Sequence, residues 1–262
     1  MSSPLPHELR GCWAVSPLHM PFPLTQLDVF RPARQAVPIT YEPGKSGRSI
    51  AIIKALGLLT KSATWYGTST LQLRNDVRNA ANDPNVSGIL IAIDSPGGTV
   101  AGVAEMIADV KAARKRKPVW VQIQDLGASA AYALASQADL VYANAPSALV
   151  GSIGTMIVVY DESVAAEQAG VKALLFATGP LKGAGWPGVP VTDEQKDMFS
   201  RAVQAAQQGF DAAVRSGRGL SASELEAVKT GEAFPALDAL RLKLIDGVQP
   251  LEQTLSELAK AS

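Results

Sequence analysis

The sequence predicts an α/β fold with a mainly parallel sheet, flanking helices and a helical C-terminal region. Three observations indicate it. Strand-like and helix-like segments alternate through the middle of the chain, the six-residue run Gly88–Ile93 is continuously apolar, and the last third repeats apolar residues at helical spacing. A continuously apolar short strand is typical of a parallel sheet covered on both faces, and strand–helix alternation supplies the crossover connections that such a sheet needs.

The individual elements follow from local patterns. Strands are predicted for short apolar or β-branched runs at Ser49–Leu56, Gly88–Ile93, Pro118–Gln124, Leu140–Tyr142, Thr155–Tyr160 and Ala173–Ala177. Helices are predicted for Ser69–Asn82, for Val100 to the basic run Lys111–Lys117, for Ser129–Gln137, for Glu162–Gln168, and for a long segment with an apolar face from Met198 to Val214 that breaks at Gly217–Gly219.

Residues 1–48 differ from the remainder of the chain. They contain eight of the 17 prolines and show no sustained periodicity, which predicts an extended N-terminal arm, partly ordered at most. Residues 49–262 are predicted to form a single domain. The start of the chain lacks a basic stretch followed by an apolar one, and no run of about 18 apolar residues occurs, so neither a secretory signal nor a membrane span is expected.

Charge and scarce residues exclude several classes of function. The 262 residues carry 24 Lys and Arg against 24 Asp and Glu, and this neutrality disfavours a nucleic-acid partner. The run Lys111–Lys117 ends an amphipathic helix, where cations suit the helix dipole. His7, Cys12 and His19 are the only histidines and cysteine. The rest of the chain must therefore work without imidazole or thiol, which disfavours Ser-His-Asp and Cys-His hydrolases and histidine-rich zinc sites.

Two segments that follow predicted strands could carry chemistry. Asp94–Gly98 reads DSPGG, and its paired glycines could direct backbone N–H groups at an oxyanion or could simply form a turn. The motif is neither a dinucleotide fingerprint nor a P-loop, so no phosphate-binding site is expected. Gly127–Tyr132 reads GASAAY, in which Ser129 could be a helix N-cap or a nucleophile on an elbow similar to G-x-S-x-G.

Two later segments carry a lysine and a serine. Gly179–Gly185 reads GPLKGAG, and Lys182 has no carboxylate neighbour in sequence from Gly170 to Thr192. A lysine acts as a general base only when it is neutral, which requires desolvation, and otherwise such a loop lysine is simply solvated. Gly151–Gly154 reads GSIG, where the Ser152 hydroxyl could orient an amine or belong to an ordinary turn.

Together and in this order, DSPGG, GASAAY, GSIG and GPLKGAG resemble the signal peptide peptidase A family of serine peptidases. The closer similarity is to its short bacterial and phage members of the prohead protease C type. It extends from about Ser49 to Val248 and includes the late segment GRGLSASELEAVKTGEAF. The resemblance implies the fold shared by Clp protease subunits and crotonases, with a Ser/Lys dyad that needs no histidine.

The resemblance also implies a role for each matching residue. The nucleophile is Ser129, the general base is Lys182, Ser152 positions the lysine amine, and the oxyanion hole uses the N–H of Ala130 with one from Gly97 or Gly98, Gly98 being favoured. Family members commonly have glycines after the nucleophile where this chain has Ala130-Ala131, so the resemblance does not define the exact substrate path.

The expected function is that of a serine endopeptidase acting through an acyl-enzyme, without metal or cofactor. Its expected substrates are signal-peptide remnants, unfolded peptides, or phage scaffold and capsid proteins. The resemblance further implies a homo-oligomer. A location in the cytoplasm, or in association with a phage inside the host cell, is expected because neither a secretory signal nor a membrane span is predicted. Two alternatives stay open: a crotonase-like acyl-CoA enzyme, and a non-catalytic assembly or scaffold protein of the same fold.

Overall fold

The computed structural model describes residues 13–15, 37–64 and 67–262. His7, Cys12 and His19 lie outside the described residues. The strands in chain order are β1 (Trp13–Val15), β2 (Thr40–Pro43), β3 (Ser49–Leu56), β4 (Leu58–Thr60), β5 (Gly67–Ser69), β6 (Val86–Ser95), β7 (Gly97–Thr99), β8 (Val119–Ala128), β9 (Leu140–Ala143), β10 (Leu149–Gly151), β11 (Ala233–Pro235) and β12 (Gly247–Val248). The helices are α1 (Thr70–Asn82), α2 (Val103–Arg114), α3 (Ala130–Ala135), α4 (Ser163–Gln168), α5 (Asp193–Arg218), α6 (Ala222–Val228), α7 (Ala236–Arg241) and α8 (Leu251–Ala261).

The strands form two sheets. The larger has the order β11-β10-β8-β6-β3-β2, with β9 also paired to β8 and β12 to β9, and the smaller has the order β1-β7-β4-β5. The central strands β3, β6 and β8 run parallel, and all of β6 except Asp94 is buried. The α/β fold with a mainly parallel sheet is therefore confirmed, as expected for strands that read as continuous apolar runs.

Helices cover both faces of the larger sheet. On one face α1, α2, α3 and α7 pack over the main core, in which Ile91, Ile123 and Tyr132 are fully buried. On the other face α8 packs through Leu258 against Ile50 and neighbouring side chains. The two faces together give the three-layer arrangement that a sheet of apolar strands requires.

Caps in the sequence fix where the main helices begin. Ser69 accepts a hydrogen bond from the N–H of Gln72 at the start of α1. Thr192 and Gln195 form a reciprocal capping box at the start of α5, which satisfies two N–H groups that have no partner within the helix. The helices predicted near these positions are confirmed.

Two predicted strands are wrong. Residues 155–160 form no strand beyond a single bridge at Met156, and residues 173–177 form none. Their apolar side chains face solvent: Tyr160 is 63% exposed and Phe176 is 90% exposed. Residues typical of strands have side chains suited to a pleated surface, but a strand forms only where a neighbouring strand is available for pairing. Next to β10 that position at the edge of the sheet is taken by β11.

Two strands precede residue 49. β2 pairs antiparallel with β3, and β1 pairs antiparallel with β7. The division into an arm of residues 1–48 and a domain of residues 49–262 stays a prediction. No helix within the described ranges is long and apolar enough to cross a membrane.

Candidate active site

Ser129 lies at a sharp turn between β8 and α3. Its backbone has φ 54° and ψ −120°, a conformation that costs a non-glycine residue about 1–3 kcal/mol and that concentrates at functional sites. The Ser129 N–H donates to the Gly151 carbonyl at 2.7 Å, and its hydroxyl donates to the Gly154 carbonyl at 3.4 Å. The residue is fully buried. A strained serine on a strand-to-helix turn has the geometry of a nucleophile elbow.

The DSPGG segment lies beside this turn. Ser95, at the end of β6, pairs with Gly127 on β8, and α3 contacts β7. The Ser95 hydroxyl donates to the Gly57 carbonyl at 2.6 Å and accepts from the Gly97 N–H at 3.2 Å. The Gly97 N–H therefore has an internal partner. Instead of leading directly into a helix, as the sequence suggested, the segment first forms the short strand β7.

Gly98 belongs to the closest approach between β7 and β4. A Cβ placed on Gly98 would lie 1.7 Å from the Leu59 carbonyl oxygen, so only glycine fits. Ala130 is the first residue of α3, so its N–H has no acceptor within that helix. Gly98 on β7 and Ala130 on α3 thus lie on two elements that contact each other.

The GSIG segment is tied to a distant part of the chain. Its strand β10 pairs parallel with the end of β8 and antiparallel with β11. Ser152 has φ 49°. Its N–H donates to the Glu232 carbonyl at 2.6 Å, and its hydroxyl donates to the Gly231 carbonyl at 3.1 Å. The Ser152 hydroxyl is therefore bonded to the chain between α6 and β11, and no hydrogen bond joins it to Lys182.

Lys182 lies in an exposed turn before α5. Its N–H donates to the Gly179 carbonyl at 3.1 Å, and the Gln195 side chain holds the turn through the Pro180 carbonyl at 2.9 Å. Among the described residues, the Lys182 amine has no hydrogen-bond or ion-pair partner, and Ser129 is not bonded to it. The structure thus gathers Ser129, Ser152 and the glycine pair, and leaves the lysine exposed.

Reasoning from the sequence missed the groups that support the turn. Ser95, Gly154, Gly231 and Glu232 each bond to a predicted site residue, three of them through a backbone carbonyl. A carbonyl is the same in every residue type, so residue identity gave no signal for these three. The GEAF motif at residues 231–234 is the sequence feature that could have indicated them, since it contains Gly231 and Glu232.

The described residues contain no group of three or more His, Cys, Asp or Glu side chains placed to hold a metal ion. The groups that the structure brings together are the Ser129 hydroxyl and the backbone of the glycine pair and Ala130, while the Lys182 amine lies apart from them. These groups are suited to acyl transfer, in which a nucleophile attacks a carbonyl and N–H donors hold the resulting oxyanion.

Comparison with known proteins identifies the family. The sequence profile of peptidase family S49 matches residues 111–262, a span that includes Ser129, Ser152 and Lys182. The chain is 30% identical over 198 residues to a protein of Methanocaldococcus jannaschii that is named as a protease, covering 76% of this chain and 61% of that protein. It is 34% identical over 145 residues to the capsid assembly protease C of Escherichia phage lambda, covering 55% of this chain and 33% of the phage protein.

A longer but weaker match is to Protease 4 of Salmonella typhi, at 26% identity over 220 residues, covering 83% of this chain and 35% of that protein. The chain thus spans between a third and about three fifths of the length of these three relatives. Signal peptide peptidase A and phage capsid proteases both appear among the relatives, which confirms the resemblance found in the four motifs. This chain therefore belongs to peptidase family S49, a family of serine peptidases.

Proposed function

We propose that the chain is a serine endopeptidase with Ser129 as its nucleophile and Lys182 as its general base. The observation that carries the proposal is the Ser129 conformation, with φ 54° on the turn between β8 and α3. A strained, fully buried serine flanked by small residues serves packing poorly, whereas an elbow that points a hydroxyl toward a carbonyl needs this geometry.

The reaction proceeds through an acyl-enzyme. The neutral Lys182 amine takes the Ser129 proton, and Oγ bonds to the scissile carbonyl carbon, whose oxygen becomes an oxyanion held by the N–H groups of Gly98 and Ala130. The C–N bond then breaks as the lysine returns the proton to the leaving amine. Water hydrolyses the resulting ester by the reverse proton transfers and restores the free serine. Each oxyanion donor is worth about 2.7–4 kcal/mol in enzymes of this kind.

One contact and one helix position support the choice of Gly98 and Ala130 as the N–H donors. The Gly97 N–H already donates to Ser95, which favours Gly98 as the donor from the glycine pair. Ala130 begins α3, so its N–H has no acceptor within the helix. Ser152, the proposed lysine-positioning residue, donates its hydroxyl proton to the Gly231 carbonyl, which leaves the hydroxyl oxygen able to accept a hydrogen bond from the amine.

Lys182 must approach Ser129 and lose water for this mechanism to operate. Self-association of the chain could bring about both the approach of Lys182 and its loss of water, and the residues near Lys182 in sequence support this. Phe176 and Trp186 are 90% and 62% exposed, and Leu174 is 69% exposed. Large exposed apolar side chains in one segment are typical of an interaction surface. We propose that copies of the chain cover this surface, which would exclude water from the turn that carries the lysine and favour its neutral form.

The proposed substrates are extended or unfolded peptides. Signal-peptide remnants and phage scaffold or capsid proteins are the natural candidates, because relatives are named as a signal peptide peptidase and as a capsid assembly protease.

The test compares purified wild type with Ser129→Ala and Lys182→Ala on an unfolded protein substrate, with fragments identified by mass spectrometry. Each variant should lose cleavage by at least about a thousandfold, since dyad members act as a unit. Ser223→Ala and Lys115→Ala remove an exposed serine and an exposed lysine elsewhere and serve as matched controls that should cleave normally. Wild-type cleavage by either dyad variant would contradict the assignment.

Because the base works only when neutral, the wild-type rate should also rise toward alkaline pH, and a flat profile from about pH 6 to 10 would count against a lysine base.

A further inference from the structure

The strand β7 is occupied on both edges. On one edge it meets β4, where Leu59 lies opposite Gly98 in parallel register. On the other edge β1 pairs with it antiparallel, Ala14 opposite Gly98 and Val15 opposite Gly97. Among the described strands, β1 pairs with β7 alone. The outer edge of β7 is therefore filled by a three-residue strand from a part of the chain far away in sequence.

This edge lies next to the proposed nucleophile. β7 begins two residues after Ser95, which pairs with Gly127 just before the Ser129 turn, and β7 contacts α3 just after it. A peptide that pairs antiparallel with β7 therefore runs past the turn that carries Ser129. Since Ser129 is fully buried, an incoming carbonyl reaches the hydroxyl only when something is displaced.

An open strand edge is a general site for extended peptides. Its unpaired N–H and C=O groups bind a peptide backbone by adding a strand, largely independently of the peptide's sequence. The resident segment suits that mode of binding, because all three residues of Trp13–Val15 pair with β7 and their sequence, WAV, is uncharged.

We propose that the outer edge of β7 is the peptide-binding edge of the active site, and that the chain's own segment Trp13–Val15 occupies it and excludes other peptides. The inference rests on the proposed function, because exclusion has a catalytic consequence only if Ser129 is the nucleophile. Ala14 lies opposite Gly98, the proposed oxyanion donor, so the resident segment and a substrate compete for the same stretch of backbone.

The first test is kinetic and uses the full chain. Ala14→Pro removes the N–H of the central residue of β1 and disfavours its strand pairing, while Ala33→Pro makes the same change in the same proline-rich region but away from β1. With a fluorogenic peptide substrate, Ala14→Pro should lower the apparent KM by about three- to tenfold, equivalent to the net worth of one or two backbone hydrogen bonds, and leave kcat unchanged. Ala33→Pro should match wild type.

The second test does not require activity. In Ala14→Pro, amide hydrogen exchange at Gly97–Thr99 should accelerate by at least about threefold over wild type, as expected when strand pairing is lost. A labelled peptide with the sequence of residues 11–17 should bind the double variant Ala14→Pro/Ser129→Ala at least about threefold more tightly than it binds Ser129→Ala, because the edge is then open. Thermal unfolding of each variant checks that the domain remains folded.

The outcomes separate the two proposals. Equal KM values for wild type and Ala14→Pro, together with unchanged exchange at Gly97–Thr99, would overturn the inference. Rapid Ser129-dependent cleavage of the wild-type chain within residues 11–17 would also overturn it, since a severed segment is a substrate and no longer excludes others. If no variant cleaves any peptide, the proposed function fails, yet faster exchange and tighter peptide binding in the Ala14→Pro background would still support occupation of the edge by β1.

Discussion

Replacing Gly98 by alanine adds one methyl group at the closest approach between two strands of the site. The new Cβ would lie 1.7 Å from the Leu59 carbonyl oxygen, whereas ordinary contact begins at 3.4 Å, so β7 must move away from β4 by about 1.7 Å. A misplacement of about 1 Å in an active site can cost a hundredfold in rate. Because the Gly98 N–H is the proposed oxyanion donor, we expect kcat/KM to fall by about a hundred- to a thousandfold.

The same substitution should also destabilise the domain. Forcing an extra carbon into a packed site costs about 1–3 kcal/mol of unfolding free energy. The matched control is Gly209→Ala in α5, where an added Cβ meets no atom within 4 Å. That change should raise the unfolding free energy by about 0.5–1 kcal/mol, since alanine favours a helix interior over glycine, and should leave activity unaltered.

The assay combines denaturant unfolding with peptide hydrolysis, measured well below the unfolding midpoint of the least stable variant. A Gly98→Ala protein with wild-type stability and wild-type kcat/KM would refute the close approach of β7 to β4. Lost stability with undiminished kcat/KM would refute the role of the Gly98 N–H while leaving the packing argument intact.

Three further predictions concern stability and acid sensitivity. Tyr132→Phe should lower the unfolding free energy by about 1–3 kcal/mol, measured by denaturant titration, because its fully buried hydroxyl donates to a backbone carbonyl at 2.8 Å that would be left unpaired. Asp246→Ala should cost about 3–5 kcal/mol, because the Arg218 side chain, only 8% exposed, would lose both of its 2.9 Å contacts to that carboxylate; a loss under 1 kcal/mol would contradict this. The hydrogen bond from Lys243, with help from the capping box of α6, lowers the pKa of Glu224 from 4.5 to about 2. Its contribution to stability is therefore present above about pH 4.5 and is lost as the pH falls toward 2, so Glu224→Gln should show a shallower decline in stability than wild type across that range.

The long central elements could be predicted because their patterns are local. The strand predicted at Ser49–Leu56 is found with the same bounds, and Gly88–Ile93 forms the middle of β6. A short continuously apolar run offers both of its faces to a core, and a parallel sheet is the arrangement that covers both. The long helix ends at Gly219 because glycine adopts the left-handed conformation found there, φ 64°.

The remainder could not be predicted because it depends on partners distant in sequence. Residues 155–160 and 173–177 have strand composition, but the composition does not say that β11 takes the neighbouring edge of the sheet. The short strands β4 and β7 can approach each other only because residue 98 is glycine. A Cβ at that position would clash with the carbonyl oxygen of Leu59, 39 residues earlier in the chain. Likewise, the sequence marks Ser129 as an elbow serine, yet contains nothing to show that its hydroxyl meets the Gly154 carbonyl.

The pairing of β10 with β11 has a consequence for biosynthesis. The Ser152 hydroxyl bonds to Gly231, 79 residues later, and the Ser129 N–H bonds to Gly151 on the strand that β11 secures. Chains are synthesised from the N-terminus, so a nascent polypeptide that has emerged only as far as α5 has the elbow without the strand that supports it. Completion of the Ser129 turn is therefore delayed until residues 231–235 have left the ribosome, and a product truncated before residue 231 should lack an ordered site.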